Sequence, residues 1–297
     1  MLLVFDLDIS EFVNKIKNFF TKELLESLQD CCITMYTNIF EQANTATENA
    51  ASQLMVTPEN MFPGVYKTIV GISETVFFPL AGIILVCILS YECVSMLTES
   101  NRMRDFGPPD VFILIIKLLL GIMLLTHSMD IVNACFKLGQ WAVEKAGMES
   151  VNANLGEGLD AISLIEQSTD VLSMIGYLFV GVIVKVGIVI FSVIVKVAVW
   201  LRFVELYMFI VSSPIPFATF LNKEWGQIGQ NYLRKILSLA FQPIYMIICF
   251  SIFSGTLILQ TDEGFTWALI KSLAAMVVLS IALFKTGSIA DSIFNAH

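Results

Sequence analysis

A long apolar run with two prolines near its end constrains this chain more than any other feature. It extends from Val171 to Leu221, more than twice the roughly 20 residues that one membrane-spanning helix needs. The run is therefore either two spans joined by almost no loop or one long span that leads into a bent, non-spanning segment. Pro214 and Pro216 lie in its last part, in the stretch SSPIPFATF. Because proline lacks a backbone N–H and breaks helices, we expect the long helix to end there and the chain to turn along the inner membrane surface.

The composition identifies the chain as an integral membrane protein. Of the 297 residues, 56% are hydrophobic and only 14% are charged, whereas about a quarter of the residues in soluble domains are charged. The predicted fold class is all-α, a polytopic membrane protein with about five transmembrane helices and an N-terminal amphipathic helix. The predicted spans cover residues 65–97, 111–136, 171–213, 236–259 and 265–289.

The first 60 residues differ in pattern from the rest of the chain. Apolar side chains recur at helical spacing over residues 9–40, with lysine and glutamate between them. This pattern is typical of an amphipathic helix that lies on a membrane or packs against a partner. We therefore predict an N-terminal helical region, 1–60, followed by a transmembrane domain, 61–297. The acidic start, MLLVFDLDIS, lacks the lysines of a signal peptide, so no cleavage is expected.

The charges between the spans indicate an orientation. If Val171–Leu221 is one crossing, the basic residues fall on one side, and the acidic N-terminus, the acidic segment Lys137–Asp170 and the turn TDEG fall on the other. Basic loops stay in the cytoplasm. The pattern predicts five crossings in the plasma membrane, with the N-terminus outside and the C-terminus in the cytoplasm; a sixth crossing would place basic residues outside. The basic residues are Arg102, Arg104, Lys223, Arg234, Lys235 and Lys285.

Two lysines lie well inside the predicted third span. Lys185 and Lys196 are close to three helical turns apart, so they share one face, and Ser192 lies near that face. Ionisable residues inside a span often mark a functional path. These three residues are our candidates for lining a water-filled cavity or contacting a neighbouring subunit. The alternative is that Lys196 extends to the membrane surface and Lys185 forms an ion pair within the bundle.

Other charged residues in the spans have simpler explanations. Arg202 and Glu205 are three residues apart, so we expect them to form an ion pair on one helix face at the membrane interface. Lys117, Lys271 and Glu92 lie within a few turns of the span ends. We expect these three side chains to extend to the membrane surface.

No motif in the sequence supports an enzymatic activity. HExxH, GxSxG and GxxxxGK[ST] are absent, and the two histidines, His127 and His297, cannot supply a metal site with several histidines. The six cysteines form no CxxC pair, and we expect no special role for the adjacent Cys31 and Cys32. We therefore expect no catalytic residue, no metal and no other cofactor. Energised transport would require a partner ATPase or an ion gradient.

The stretch from Arg202 to Gln242, RFVELYMFIVSSPIPFATFLNKEWGQIGQNYLRKILSLAFQ, resembles the core of the TrbL-type family. Its members are polytopic inner-membrane channel subunits of conjugative type IV secretion systems, and this version is most similar to those on mobile elements of Gram-positive bacteria. The shared features are an Arg-x-x-Glu, a PIP-like break, a Trp-Gly region, a basic NYLRK and a glutamine in the next span. In this sequence they are Arg202, Glu205, Pro214, Pro216, Trp225, Gly226, Tyr232, Lys235 and Gln242.

The resemblance implies five spans with an external N-terminus, in agreement with the charge pattern. It also implies a homo-oligomer, such as a pentamer, that works with other conjugation-channel subunits, including a VirB-type ATPase. The family's central external loop is associated with the translocated substrate. Here that loop would be Lys137–Asp170, whose acidic surface should repel DNA phosphates. Contact with cytoplasmic partners is assigned to Trp225, Tyr232, Arg234 and Lys235.

Three functions remain open from the sequence. The first is a channel or platform subunit that forms part of the path for single-stranded DNA or for a relaxase bound to DNA. The second is a secondary transporter of a small solute, since broken helices with charges near the membrane midplane suit one, although we find no internal repeat. The third is a non-conducting membrane scaffold that anchors the N-terminal helix. Ion-coupled uptake by the purified protein alone would favour the transporter.

Overall fold

The computed structural model describes residues 9–98, 108–150, 171–257 and 265–296. Within these ranges the chain forms helices joined by turns, and no strand occurs there. The predicted all-α fold is confirmed. Several residues that entered the orientation argument lie outside the described residues: Arg102, Arg104, Asp262, Glu263 and the segment 151–170.

The helices differ greatly in length. The two longest, α1 (Ile9–Leu54) and α7 (Val171–Ser212), have 46 and 42 residues. At 1.5 Å per residue, α7 is about twice as long as the hydrocarbon core of a bilayer is thick. The others are α2 (Pro58–Met61), α3 (Pro63–Ile72), a π-helical turn (Ser73–Phe77), α4 (Phe78–Thr98), α5 (Pro108–Thr126), α6 (Ser128–Ser150), α8 (Pro214–Thr219), α9 (Gly226–Leu257) and α10 (Phe265–Phe294).

Several helical segments are long and apolar enough to cross a membrane, so the chain is a multi-pass membrane protein. A pair formed by Val111–Thr126 and Ser128–Ala146 meets at a bend of 58° and adds one more crossing if it is counted as a single span. The described residues thus contain four or five candidate spans, where the sequence predicted five. The four unbent ones are Pro63–Met96, Val171–Ser212, Gly226–Phe253 and Ile270–Phe294.

Helix α6 corrects the predicted start of the external loop. We expected a non-spanning acidic segment from Lys137 onwards, but α6 continues to Ser150. The reason is that its buried apolar positions, Val132, Phe136 and Val143, continue at helical spacing past the predicted boundary. Lys137, Glu144 and Lys145 are exposed and do not end the helix.

The chain divides into two compact units, and the predicted boundary at residue 60 stays a prediction. Each unit gathers segments that are distant in sequence. The first contains the described residues of Met1–Glu48, Val151–Val195 and Phe250–Ile281, and the second those of Asn49–Ser150, Lys196–Cys249 and Ala282–His297.

In the first unit, α1 packs along the first part of α7. The Tyr36 hydroxyl donates a hydrogen bond of 2.8 Å to the carbonyl oxygen of Tyr177, and the Cys32 thiol lies 3.8 Å from the carbonyl oxygen of Met174. Both Cys32 and Tyr36 are completely buried. The sequence left open whether the amphipathic helix lies on the membrane or packs against a partner. In the structure this part of α1 packs against α7, a helix of the same chain.

In the second unit, α8 packs against α4 and α5. Its Ala218 joins a small apolar cluster with Ala81 and Leu85 of α4 and Leu125 of α5. Gly121 of α5 faces Leu85 so closely that an added Cβ would lie 2.9 Å from the leucine side chain. The smallest side chains therefore let the three helices approach one another.

Candidate functional site

The break at SSPIPF is built so that few backbone groups lose their partners. Helix α7 ends at Ser212, and Pro214 is the first residue of α8, a position where the missing N–H needs no partner. In a continuous helix the N–H of residue 214 would donate to the carbonyl oxygen of Ile210, but proline has no N–H. That oxygen instead accepts a 3.2 Å hydrogen bond from the Ser213 N–H. The change of chain direction at this break stays a prediction.

The segment after the break is buried within the second unit. Pro214 and Ala218 are among the buried residues of α8, and Pro216 is half-buried. The expected course of the chain along the inner membrane surface stays a prediction. Since α8 is apolar on several sides, its packing against α4 and α5 buries apolar side chains.

A rigid turn connects α8 to α9. The side-chain oxygen of Asn222 accepts hydrogen bonds from the N–H groups of Glu224, at 2.8 Å, and Trp225, at 3.0 Å. Gly229 of α9 lies against Phe220, and an added Cβ there would meet the Pro216 carbonyl oxygen at 2.8 Å. The turn thereby holds its exposed side chains, Trp225 included, in a fixed place.

Three helix irregularities meet at Met129. The hydroxyls of Ser73, in the π-helical turn, and Ser213, at the α7–α8 break, lie 3.9 and 3.2 Å from the Met129 sulfur. Met129 itself follows the bend between α5 and α6. Ser73 and Ser213 are almost completely buried, and a thioether is a weak acceptor. The Met129 sulfur therefore joins these breaks through weak polar contacts.

Four polar side chains from three helices form a charged group, which we name the Lys235 cluster: Glu205, Lys235, Ser238 and Asp291. The ammonium of Lys235 lies 3.2 Å from the Glu205 carboxylate and 2.9 and 2.7 Å from the two carboxylate oxygens of Asp291. Ser238 donates a 2.7 Å hydrogen bond to Asp291. The cluster joins α7, α9 and α10, and the single ammonium of Lys235 forms ion pairs with two carboxylates.

The expected ion pair between Arg202 and Glu205 is wrong. Glu205 takes Lys235 as its partner, because α9 brings that ammonium within 3.2 Å. Arg202 is only 6% exposed, and its side chain contacts the backbone of α9. Its Nη2 donates a hydrogen bond of 3.3 Å to the carbonyl oxygen of Leu239 in α9.

The Leu239 carbonyl needs that donor because of a proline. Pro243 lies inside α9, four residues after Leu239, and has no N–H to close the usual helical hydrogen bond. In lipid no water replaces such a donor, and an unpaired backbone group costs several kcal/mol. Arg202 therefore supplies the hydrogen bond that Pro243 removes. A proline inside a predicted span was the sequence signal that could have found this role.

The three residues predicted to line a cavity or contact a neighbouring subunit lie at exposed and half-buried positions of α7. Lys185 and Lys196 are exposed on α7, whereas Ser192 is half-buried and bonds its own helix, at 2.9 Å from the Ile188 carbonyl oxygen. Each lysine is surrounded by exposed apolar side chains of the same helix. The three residues thus do not come together as one polar group.

Among the four predicted partner contacts, Trp225 and Arg234 are exposed. Tyr232 is buried and donates a 2.6 Å hydrogen bond to the Phe209 carbonyl oxygen, and Lys235 belongs to the cluster described above. The burial of Tyr232 speaks against its expected contact with cytoplasmic partners. For Lys235, which is partly exposed, that contact stays a prediction. Trp225 and Arg234 remain free for that role.

A second ion pair, between Lys117 of α5 and Glu92 of α4, was missed. We expected both side chains to extend to the membrane surface, but each is mostly buried and contacts the other. The residues are 25 positions apart, so only the packing of α4 against α5 shows that they meet. Opposite charges in two predicted neighbouring spans were the available signal.

The residues that the structure describes include no group of three or more His, Cys, Asp or Glu side chains placed to hold a metal ion. The site consists of helix breaks, a buried arginine and an interhelical ion-pair cluster. Such an arrangement can fix helices against one another in an apolar environment.

Comparison with known families identifies the chain. A family model described as TrbL/VirB6 plasmid conjugal transfer like protein matches residues 43–214, more than half of the chain. The chain belongs to this TrbL/VirB6-like family. It is therefore a membrane component of conjugal transfer, a type IV secretion process, and works with other subunits of that system. The TrbL/VirB6-like match includes Arg202, Glu205 and Pro214 and ends before Pro216.

Neither a curated protein nor a solved structure matches the chain.

Proposed function

We propose that this protein is a channel or platform subunit of a conjugative type IV secretion system and forms part of the path for DNA or a relaxase bound to DNA. It acts as a homo-oligomer and catalyses no reaction itself. A partner ATPase of the VirB type supplies the energy. The N-terminus lies outside the plasma membrane, and the C-terminus lies in the cytoplasm, as the charge pattern indicates.

The exposed lysines of α7 are the observation that supports this proposal most directly. Lys185 and Lys196 project from a helix whose other exposed side chains are apolar. A lysine facing lipid near the bilayer centre costs about 2.5–3.5 kcal/mol on insertion scales. Two such residues therefore indicate that this face meets water or a neighbouring subunit in the assembled protein.

Photo-crosslinking during DNA transfer tests the proposal. A crosslinking amino acid replaces Lys185 or Lys196 in the full-length protein, in cells that transfer a labelled plasmid. Ile183 and Ile190 serve as controls, because they are 51% and 55% exposed but lie on a different side of α7. We expect adducts with DNA or relaxase, or with a second copy of the chain, at the lysine positions and not at the controls.

Each outcome of that experiment has a clear meaning. DNA or relaxase adducts at the lysines support a conduit, and adducts with a second copy alone support an oligomeric platform beside the path. Adducts with lipid alone at both lysines and both controls, together with loss of transfer on deletion of the gene, would contradict the channel role and favour the scaffold.

A further inference from the structure

Arg202 has hydrogen-bonding capacity that the protein itself does not use. Among the residues that the structure describes, only its Nη2 has a hydrogen-bond partner, the Leu239 carbonyl oxygen. Within the described residues no group accepts a hydrogen bond from its Nε or Nη1, and both atoms are buried. Burying a donor without an acceptor costs about 1–3 kcal/mol, more for a charged group. The arginine therefore needs a further acceptor that is not a side chain of the second unit.

A small cleft in the second unit provides the space for that acceptor. Arg202 lines it together with Thr57 and Pro58 before α3, Gln140 of α6 and Pro243 of α9. The cleft has room for about one water molecule. A phosphate or a carboxylate group of a lipid does not fit without movement of the surrounding helices.

Gln140 lines the same cleft. Its side-chain nitrogen donates a 2.9 Å hydrogen bond to the Glu144 carboxylate on the outer side of α6. Because a carboxylate only accepts, that bond assigns the amide nitrogen of Gln140 to the end that faces Glu144. The carbonyl oxygen of Gln140 is then the atom left to accept a hydrogen bond. A ligand that lies between Arg202 and Gln140 must accept from the first and donate to the second.

An anion does not match both polar groups of the cleft. Arg202 is the charged residue among those described as lining it, and an anion could accept a hydrogen bond from Arg202 but could not donate one to the Gln140 oxygen. A neutral molecule that both accepts and donates hydrogen bonds satisfies the two groups.

We propose that the cleft is a binding site for one ordered water molecule, which accepts a hydrogen bond from a free N–H of Arg202 and donates one to the side-chain oxygen of Gln140. The water links α6 to α7 at the point where Arg202 also donates a hydrogen bond to the Leu239 carbonyl oxygen of α9. Because Arg202 already bonds α9 directly, the water adds α6 to the hydrogen-bonded unit of α7 and α9.

Paired substitutions test the proposal in the full-length protein in detergent. Gln140→Leu removes the acceptor for the water and also the bond to Glu144, whereas Glu144→Ala removes only that outer bond. We expect Gln140→Leu to lower the thermal unfolding midpoint by about 2–4 °C more than Glu144→Ala. In an Arg202→Met background the two substitutions should lower it equally, since the water has lost its donor.

Direct observation completes the test. A high-resolution map of the wild-type protein should show one density peak within hydrogen-bonding distance of Arg202 and Gln140, and Arg202→Met should remove it. Equal effects of Gln140→Leu and Glu144→Ala in the wild-type background would overturn the proposal, and so would an empty cleft. Anomalous density from bromide at the site would also overturn it, because it would identify an anion site.

Discussion

At Arg202 a buried cation and a helix-breaking proline each remove part of the cost of the other. Pro243 leaves the Leu239 carbonyl without its helical donor, and the guanidinium provides one at 3.3 Å. Neither residue would be favourable alone in an apolar bundle, since one is a charge and the other frees a carbonyl. The two should therefore depend on each other energetically, although they are distant in sequence.

A double-mutant cycle measures that dependence. Arg202→Met leaves the Leu239 carbonyl unpaired, so we expect it to lower the free energy of unfolding by about 1–3 kcal/mol more in the wild type than in a Pro243→Ala background. Alanine at 243 restores the N–H and makes the arginine dispensable for this bond. Denaturation in detergent, followed by circular dichroism, gives the four values. Equal costs of Arg202→Met in both backgrounds would refute the coupling.

Adjacent cysteines in α1 should differ sharply in reactivity. Cys31 is exposed, whereas Cys32 is completely buried. Burial raises the pKa of the Cys32 thiol, with a smaller contribution from Cys31. A raised pKa means less thiolate at neutral pH, and the thiolate is the reactive form.

We therefore predict that Cys31 reacts at least about tenfold faster than Cys32 with a maleimide at pH 7. Labelling of Cys32 should increase only as the pH rises. The measurement uses two variants in which the other five cysteines are replaced by serine, one retaining Cys31 and one retaining Cys32. Similar rates in the two variants would show that α1 does not bury this position.

At the scale of helices, α6 and α9 approach each other at a glycine. A Cβ added at Gly139 would overlap the backbone carbonyl oxygen of Ala240. Backbone atoms cannot move aside as a flexible side chain can, so the two helices would have to separate. Gly71, in the same unit, has nothing within 4 Å of such a Cβ.

These two glycines form a matched pair for mutagenesis. We expect Gly139→Ala to destabilise the protein by about 1–3 kcal/mol through overpacking. Gly71→Ala should be neutral or slightly stabilising, because alanine favours helix over glycine by about 1 kcal/mol. Thermal unfolding of both variants in one detergent gives the comparison, and a loss at Gly71 equal to that at Gly139 would contradict the described packing.

The helices and candidate spans were largely predictable from sequence because hydropathy and proline act locally. The paired prolines Pro214 and Pro216 predicted the end of α7, whereas the single Pro243 lies inside a continuous α9. The partners of the charged side chains were not predictable in the same way. Lys235 meets Asp291 across 56 positions, and Lys117 meets Glu92 across 25, so each pair depends on which helices pack together. Periodicity within one helix favoured the local pair of Arg202 with Glu205, and the tertiary contact overrode it.

For the whole molecule, the proposed orientation is open to direct measurement. In a cysteine-free background, we expect Thr261→Cys to react with a membrane-impermeant maleimide in intact cells. Ser100→Cys, beside the basic loop, should react only after the cells are permeabilised. The opposite pattern would invert the proposed topology without affecting the family assignment.

The position of α8 has a consequence for the order in which the protein is made. Helices α4 and α5, which contain Ala81, Leu85 and Leu125, leave the ribosome before α8. Ala218 of α8, which completes their cluster, follows much later in the chain. At typical synthesis rates the gap between Leu125 and Ala218 lasts roughly 5–20 s. During that time α8 has not yet been made and cannot cover the apolar surface between α4 and α5. A nascent chain that stops before Pro214 should therefore be captured by insertion factors or degraded, while one that includes α8 can cover that surface and be released.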